Sequence, residues 1–169
     1  MDLYLLRDYT GLYAPIILFI LTLVLLRHMN NYLHFFVIGF IINNFLNIIL
    51  KISIKEPRPT NEQRIIEICI VNGAHIGFDK FGMPSGHAQN CGYIGTFITL
   101  VLNNPFITTL YISISSISLF QRYLYRNHTI LQLATGLFIG IFIGYLTYLL
   151  GNTYIMGNIK IKKDDNAPL

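Results

Sequence analysis

Charged side chains are scarce in this sequence. Only 12% of its 169 residues are Asp, Glu, Lys or Arg, about half of the roughly 25% that is usual in soluble domains. The net charge of +4 comes from basic residues scattered between apolar runs, which argues against a nucleic-acid-binding protein. With 53% hydrophobic residues and a mean hydropathy of +0.53, the composition predicts an integral membrane protein whose basic residues anchor it at the interface or bind an anionic headgroup.

Cysteine and clustered carboxylates are also lacking. The two cysteines, Cys69 and Cys91, form no CxxC pair, so we predict two free thiols with neither a metal nor a redox role. A disulfide is the alternative if the polar loop folds back over the following helix. We predict no metal site and no cofactor, because no metal-ligand spacing is present among the acidic residues Glu56, Glu62, Glu67 and Asp79.

Five apolar runs predict an all-α, polytopic transmembrane bundle that forms a single domain over residues 1–169. The runs extend approximately from Leu12 (with a helix start nearer Tyr9) to Leu26, Tyr32 to Leu50, Ser85 to Leu102, Phe106 to Phe120, and His128 to Leu150. The long polar segment 51–83 is broken by two prolines, and within it we predict a short interfacial helix over 64–71. The tail from Gly151 is predicted to be solvated, with residues 158–169 flexible.

The alternation of spans has a consequence for the polar residues between them. If five spans alternate in direction, the end of the second, the start of the third, the end of the fourth and the start of the fifth share one membrane face. That face then carries the groups suited to phosphate, namely Lys51, Arg58, Ser85-Gly86-His87, Arg122 and His128. We therefore predict an active site at one face of the membrane, with its motifs within residues 51–132.

The start of the third span has the features of an anion site. Pro84 cannot lie inside a helix and Ser85 is a favoured N-cap. The N–H groups of Gly86, His87 and Ala88 then lack intrahelical partners at a helix N-terminus, where anions bind. His87 adds a group that titrates near neutrality.

Three cations complete the predicted phosphate site. Arg offers a planar fork that matches phosphate oxygens, and Lys offers a point charge. Lys51, Arg58 and Arg122 are the candidates. The alternative is that each merely ends a span by reaching into the interface; this alternative is weaker for Arg58, which lies between two prolines in extended backbone.

Two histidines suit in-line phosphoryl transfer. His128 would attack phosphorus, while His87 would protonate the leaving oxygen and later activate water. Gln132, four residues after His128, lies on the same helical face and can accept from one ring N–H, which would fix the tautomer. We expect this chemistry to need no metal.

These motifs resemble those of a known family. Lys51 with Arg58-Pro59, then Pro84-Ser85-Gly86-His87, then Arg122 with His128 are similar in order and spacing to the three signatures of the type 2 phosphatidic acid phosphatase superfamily, over about residues 50–135. The resemblance implies a helical membrane core, often of six spans rather than five. It implies a nucleophilic His128, a general acid His87, and phosphate binding by Lys51, Arg58, Ser85, Gly86 and Arg122.

Two positions depart from the family pattern. Gln121 replaces the usual Ser before the arginine of the third motif, and Gln132 replaces the usual Asp after the nucleophile. A neutral amide can orient imidazole but cannot offset a developing imidazolium charge. Dolichyl diphosphatases resemble this chain in having Gln at the second position and in the run Gly82-Met83-Pro84-Ser85, so the resemblance implies a polyprenyl diphosphate substrate, dolichyl diphosphate in particular.

Alternatives to this function remain. One is a phosphatidate or phosphatidylglycerophosphate phosphatase that uses the same residues, and another is a catalytically impaired lipid-binding membrane protein, for which Gln132 is the best argument. If the organism is a eukaryote, the resemblance implies a location in the endoplasmic reticulum membrane, with the site facing the lumen; the sequence leaves the organism open. The sequence leaves the oligomeric state open, because the glycine stripe Gly136, Gly140 and Gly144 suits either internal packing or self-association.

Overall fold

The computed structural model describes residues 3–60, 62–66, 69–75 and 77–164, and describes side chains only outside 61–74, 76 and 158–164. Its architecture is a bundle of five helices, which confirms the predicted all-α class. They are α1 (Leu3–Leu25), α2 (Asn30–Ile54), α3 (Gly86–Leu102), α4 (Pro105–Leu124) and α5 (Ile130–Asp164).

The helices are bounded by residues that suit those places. Ser85 caps α3, and its Oγ accepts a hydrogen bond from Ala88 N–H. Asn103, with φ of 45°, ends α3 in the left-handed conformation, and the side chain of Asn104 caps α4 by accepting from two backbone N–H groups. Pro105 stands in the first turn of α4, where its missing N–H costs nothing.

Most helices are longer than the apolar runs predicted. The helix α1 begins at Leu3 and α5 continues to Asp164, past the start of the predicted flexible tail at 158; residues 165–169 lie outside the described residues. Within the described chain, α1, α2 and the first part of α5 (130–157) are long and apolar enough to cross a membrane. The helix α3, with 17 residues, packs against all four other helices, whereas α4, with 20 residues, packs against α1 and α3 at the side of the bundle.

The predicted interfacial helix over 64–71 is wrong. The chain forms an antiparallel hairpin there, from β1 (Glu62–Ile66) and β2 (Cys69–Ala74). Its residues include Ile65, Ile66, Ile70 and Val71, β-branched types that favour strands. A short 3-10 turn (Gly77–Lys80) follows and leads to the start of α3.

The helices α3 and α5 form the closest pair in the bundle. A Cβ added at Gly136 or Gly140 would collide with the carbonyl oxygen of Ser85 or Gln89, and one added at Gly144 would lie 2.6 Å from that of Tyr93. The two sets of positions are each spaced by four residues, so they face each other along both helices. The glycine stripe therefore packs inside the protein.

The interior changes character along the bundle. Away from the site, the core is aromatic and aliphatic and includes Phe36, Tyr93, Phe97 and Tyr111. Even here the buried polar atoms are paired: Tyr93 Oη donates to the Phe36 carbonyl at 2.7 Å. Towards the site the buried side chains become amides, such as Asn43, Asn47 and Gln89, while large apolar residues cover the outside.

Candidate active site

One cavity of about 340 Å³ lies where the predicted motifs meet. Six of the eight predicted site residues line it: Lys51, Arg58, Gly86, His87, Arg122 and His128. The other two, Ser85 and Gln132, are completely buried beside it. The polar ends of α2, α3, α4 and α5 therefore converge on one place, as the alternation of spans predicted.

His128 is held in one tautomer. Its Nδ1 lies 3.0 Å from the carbonyl oxygen of Gly82 and 3.3 Å from Oε1 of Gln132, both acceptors. Its Nε2 lies 3.1 Å from Nη1 of Arg58, and arginine can only donate. The hydrogen is therefore on Nδ1, and the lone pair of Nε2 points toward Arg58 and the cavity.

Burial keeps His128 uncharged. The residue is 3% exposed, and its desolvation, together with the positive charges of Arg58 and Lys51, lowers its pKa well below the ordinary value. A neutral imidazole is the nucleophilic form. The ring therefore meets the requirement for attack in both tautomer and charge.

Arg58 and Lys51 are held by a carboxylate that the sequence patterns did not indicate. Asp79 in the 3-10 turn accepts from Nη2 of Arg58 at 2.6 Å and from Nζ of Lys51 at 3.5 Å, and its side chain is 40% exposed. Burial opposes its ionisation, but Arg58, His75 and Lys51 together outweigh this and hold the pKa of Asp79 below the usual range. A negative group thus already lies on two cations predicted to bind phosphate.

The position of the Arg122 guanidinium depends on the neighbouring Gln121. Oε1 of Gln121 accepts from Nε and Nη2 of Arg122 at 2.9 and 2.6 Å, while Nε2 of Gln121 donates to the Asp8 carbonyl at 3.1 Å. The long side chain fits because Gly11 on α1 has no Cβ; one built there would lie 2.7 Å from Cβ of Gln121. Gln121 therefore fixes the guanidinium and ties α4 to α1.

The amino end of α3 is positioned by an amide network from α2. Asn47 Nδ2 donates to the Pro84 carbonyl at 3.2 Å and to Oε1 of Gln89 at 2.8 Å, and Gln89 donates in turn to Asn43. Ser85 Oγ is occupied by the N–H of Ala88 at 3.5 Å. Of the three N–H groups predicted to be free for an anion, the one of Ala88 is therefore engaged by the cap.

His87 faces a different helix from His128. Its Nε2 lies 3.1 Å from the Leu12 carbonyl on α1, and since a carbonyl only accepts, this nitrogen carries a hydrogen. An apolar groove of about 290 Å³ runs beside it and is lined by Leu12, Tyr13, Pro15, Ile16, His87 and Asn90. The cavity and the groove share His87 and Asn90.

Several cavity residues were missed by the sequence patterns: Asn47, His75, Phe78, Asp79, Asn90 and Asn127. One signal was available, because Asn43, Asn47 and Lys51 are four residues apart and form a polar stripe on an apolar helix. His75 precedes the short 3-10 turn and Asp79 lies within it, and neither belongs to an apolar helix whose period would have pointed to it.

The remaining predictions on metal and thiol chemistry concern fewer residues. Among the described residues, no group of three or more His, Cys, Asp or Glu side chains is arranged to hold a metal ion. Cys91 is a buried free thiol, as predicted. The Cys69 side chain lies outside the described set.

Comparison with known proteins gives the family. The model of the PAP2 superfamily matches residues 32–155, which include all three motifs. The chain belongs to this superfamily. No solved structure was found to match it.

Two curated relatives of this PAP2 protein bear dolichyl diphosphatase names. Dolichyldiphosphatase 1 of Dictyostelium discoideum is 28% identical over 141 residues, which cover 76% of this chain and 56% of the relative. The palmitoyl-protein thioesterase-dolichyl pyrophosphate phosphatase fusion 1 of Schizosaccharomyces pombe is 26% identical over 134 residues, which cover 72% of this chain and 20% of the relative. The chain thus spans a fifth to just over half of the curated relatives it matches, and the predicted family resemblance is confirmed.

Proposed function

We propose that this protein is an integral-membrane phosphatase that hydrolyses a polyprenyl diphosphate of the dolichyl type to the monophosphate. The observation that carries the proposal is the unprotonated Nε2 of His128, which is directed into a cavity that also holds Lys51, Arg58 and Arg122. The side chains of Lys51 and Arg58 are 5% and 7% exposed, and Arg122 is 6% exposed as a whole residue. Partly desolvated cations beside a buried neutral imidazole suit the transfer of a phosphoryl group.

The residues support a two-step reaction. In the first step Nε2 of His128 bonds to the terminal phosphorus and the bond from phosphorus to the bridging oxygen breaks. His87, which enters this step as the imidazolium, gives a proton to the leaving polyprenyl phosphate and becomes neutral. In the second step water attacks the phosphohistidine with His87 as base, releasing inorganic phosphate and restoring His128. Arg58, Lys51, Arg122 and the first N–H groups of α3 stabilise the non-bridging oxygens throughout.

The position of His87 favours a lipid leaving group. In-line displacement places the leaving oxygen opposite the attacking nitrogen, and the hydrogen-bearing Nε2 of His87 points toward α1. The apolar groove begins there, and Ile16 in its wall is 56% exposed on the outside of the bundle. The lipid chain would therefore leave the cavity along α1 and enter the bilayer.

Substitution of the groove tests the nature of the substrate. Ile16→Trp should lower kcat/KM for farnesyl diphosphate at least fivefold and change it less than twofold for isopentenyl diphosphate, whose single isoprene unit does not extend along the groove. Ile20→Trp, on an equally exposed part of α1, is the matched control. Equal losses of kcat/KM with both substrates would mean that the polyprenyl chain does not lie in this groove.

We also propose that catalysis needs no metal, since three cations and a helix N-terminus are available to neutralise the phosphate. In a eukaryote, the location implied by the resemblance is the endoplasmic reticulum membrane, with the site on the lumenal face.

Phosphate release from detergent-purified protein tests the reaction. Dolichyl diphosphate, farnesyl diphosphate and phosphatidate are offered separately in the presence of EDTA, with His128→Ala as the control. Release from a prenyl diphosphate that survives EDTA and is lost in the variant supports the proposal. Preference for phosphatidate supports the alternative lipid phosphatase, and no release by folded protein supports the impaired, lipid-binding alternative.

A further inference from the structure

We propose that Glu56 supplies the negative charge for the nucleophile through Gln132, so that a carboxylate and an amide together do what the usual Asp does alone. This inference rests on the proposed function. Glu56 is a positioning residue in it, because it acts on His128 only through the amide of Gln132.

The contacts form a continuous chain from the carboxylate to the imidazole. Nε2 of Gln132 donates to Oε1 of Glu56 at 2.7 Å and to the carbonyl of Pro57 at 2.9 Å. Oε1 of Gln132 faces Nδ1 of His128 at 3.3 Å and accepts from the N–H of Thr129 at 3.2 Å. Both ends of the amide are engaged, which leaves it one orientation, with its oxygen toward the ring.

The packing around the amide is specific to this arrangement. Gln132 has no exposed surface, and a Cβ added at Gly82 would overlap its amide group. The backbone is joined here as well, since the N–H of Gly82 donates to the Glu56 carbonyl at 2.8 Å. The segment that carries Glu56 is therefore fixed against the segment that presents Gly82 to His128.

In the proposed reaction, this series of contacts would stabilise the charge that develops on His128. When Nε2 of His128 bonds to phosphorus, the ring keeps its hydrogen on Nδ1 and becomes cationic. A neutral amide alone offers a dipole to that charge, whereas an amide polarised by a hydrogen-bonded carboxylate offers a stronger one, backed by a full negative charge. The gain is larger for the cationic intermediate than for the neutral ring, so it acts on kcat.

Two substitutions separate this charge effect from a structural one. Glu56→Gln keeps an oxygen acceptor for Gln132 and removes the charge, and we expect kcat for farnesyl diphosphate to fall about tenfold, or about 1.4 kcal/mol, with KM changed less than twofold. Glu62→Gln also removes one negative charge from the polar segment 51–83 and should leave kcat unchanged. A kcat for Glu56→Gln within twofold of the wild type overturns the inference.

Moving the carboxylate provides the rescue. Gln132→Glu alone puts two carboxylates side by side and should lower kcat, because they repel each other or share a proton. When it is combined with Glu56→Gln, the carboxylate introduced at position 132 meets His128 directly, and kcat should return to within threefold of the wild type. Additive losses in this double-mutant cycle would mean that the two positions act independently, which overturns the inference.

A spectroscopic measurement makes the inference independent of turnover. With ¹⁵N-labelled histidine, the Nδ1 resonance of His128, assigned by its loss in His128→Ala, should move toward a weaker hydrogen bond in Glu56→Gln and stay in place in Glu62→Gln. An unmoved resonance overturns the relay even if the enzyme is active. Absence of any phosphatase activity together with a moved resonance overturns the proposed function and leaves the relay intact.

Discussion

Asp79 already occupies the cations that are proposed to bind the substrate, so its removal should make the enzyme bind phosphate more tightly. The carboxylate lies 2.6 Å from Nη2 of Arg58 and 3.5 Å from Nζ of Lys51. A diphosphate that bonds to these groups must first displace it. Asp79→Asn keeps the size of the side chain and removes the charge that competes.

The size of the effect follows from exposure. The Asp79 side chain is 40% exposed, so solvent screens its ion pairs to about 0.5–1 kcal/mol. Each 1.4 kcal/mol is tenfold in affinity, and KM should therefore fall about two- to fivefold. The value of kcat should change little, because the proposed reaction assigns Asp79 no part in bond making or proton transfer.

The assay is phosphate release from farnesyl diphosphate, together with inhibition by inorganic phosphate, whose inhibition constant reports binding without chemistry. Both constants should fall by the same factor in Asp79→Asn. Glu62→Gln alters the charge of the same segment equally and controls for a general field effect. A rise in either constant would refute competition and would mean that Asp79 holds Arg58 and Lys51 in place for the substrate.

Three further predictions concern packing, pH and the third motif. Gly140→Ala should lower the free energy of unfolding by about 2 kcal/mol or more, because its Cβ would meet the backbone of α3. Gly95→Ala, with open space around it, should not destabilise the protein. Equal stabilities of the two variants in SDS titrations would contradict the packing. The pKa of His128 is lowered in the folded protein, so below about pH 6.5 the unfolded chain binds a proton that the folded protein excludes. His128 alone should therefore contribute a fall in stability of about 1.4 kcal/mol between pH 7.5 and 5.5, and this part should be lost in His128→Gln. An unchanged pH dependence in that variant would reject this. Gln121→Met removes the acceptor of Arg122, and KM for farnesyl diphosphate should rise up to about tenfold; a lower KM would show that Gln121 restrains rather than positions the guanidinium.

The sequence predicted those parts of the structure that have a helical period. The apolar runs indicated all five helices, and the four-residue spacing of Gly136, Gly140 and Gly144 indicated a close helix contact. Capping chemistry placed the start of α3 at Ser85 to within a residue. Each of these depends on local sequence, because a helix repeats its contacts every three to four residues.

The long polar segment 51–83 was predicted less well, and its contacts explain why. The run 64–71 has no clear alternation of apolar and polar residues, and the pairing of its two halves turned it into a hairpin. Asp79 reaches Arg58 from 21 residues away, and Glu56 reaches Gln132 from 76 residues away. Neither contact leaves a trace in spacing, since irregular backbone has no period that could bring the partners to one face.

The structure also explains how three motifs so far apart in sequence stay aligned. Backbone hydrogen bonds link them directly: the N–H of Gly82 to the Glu56 carbonyl at 2.8 Å, and the N–H of Ser85 to the Gln132 carbonyl at 3.1 Å. Pro57 and Phe81 add a strand-like bridge between the first two segments. Because these links use main-chain atoms, substitutions at Gln121 and Gln132 can change the polar groups around the cavity without moving the backbone that frames it. In this chain the frame therefore places the amide of Gln132 beside His128 and keeps the carboxylate of Glu56 within reach of that amide.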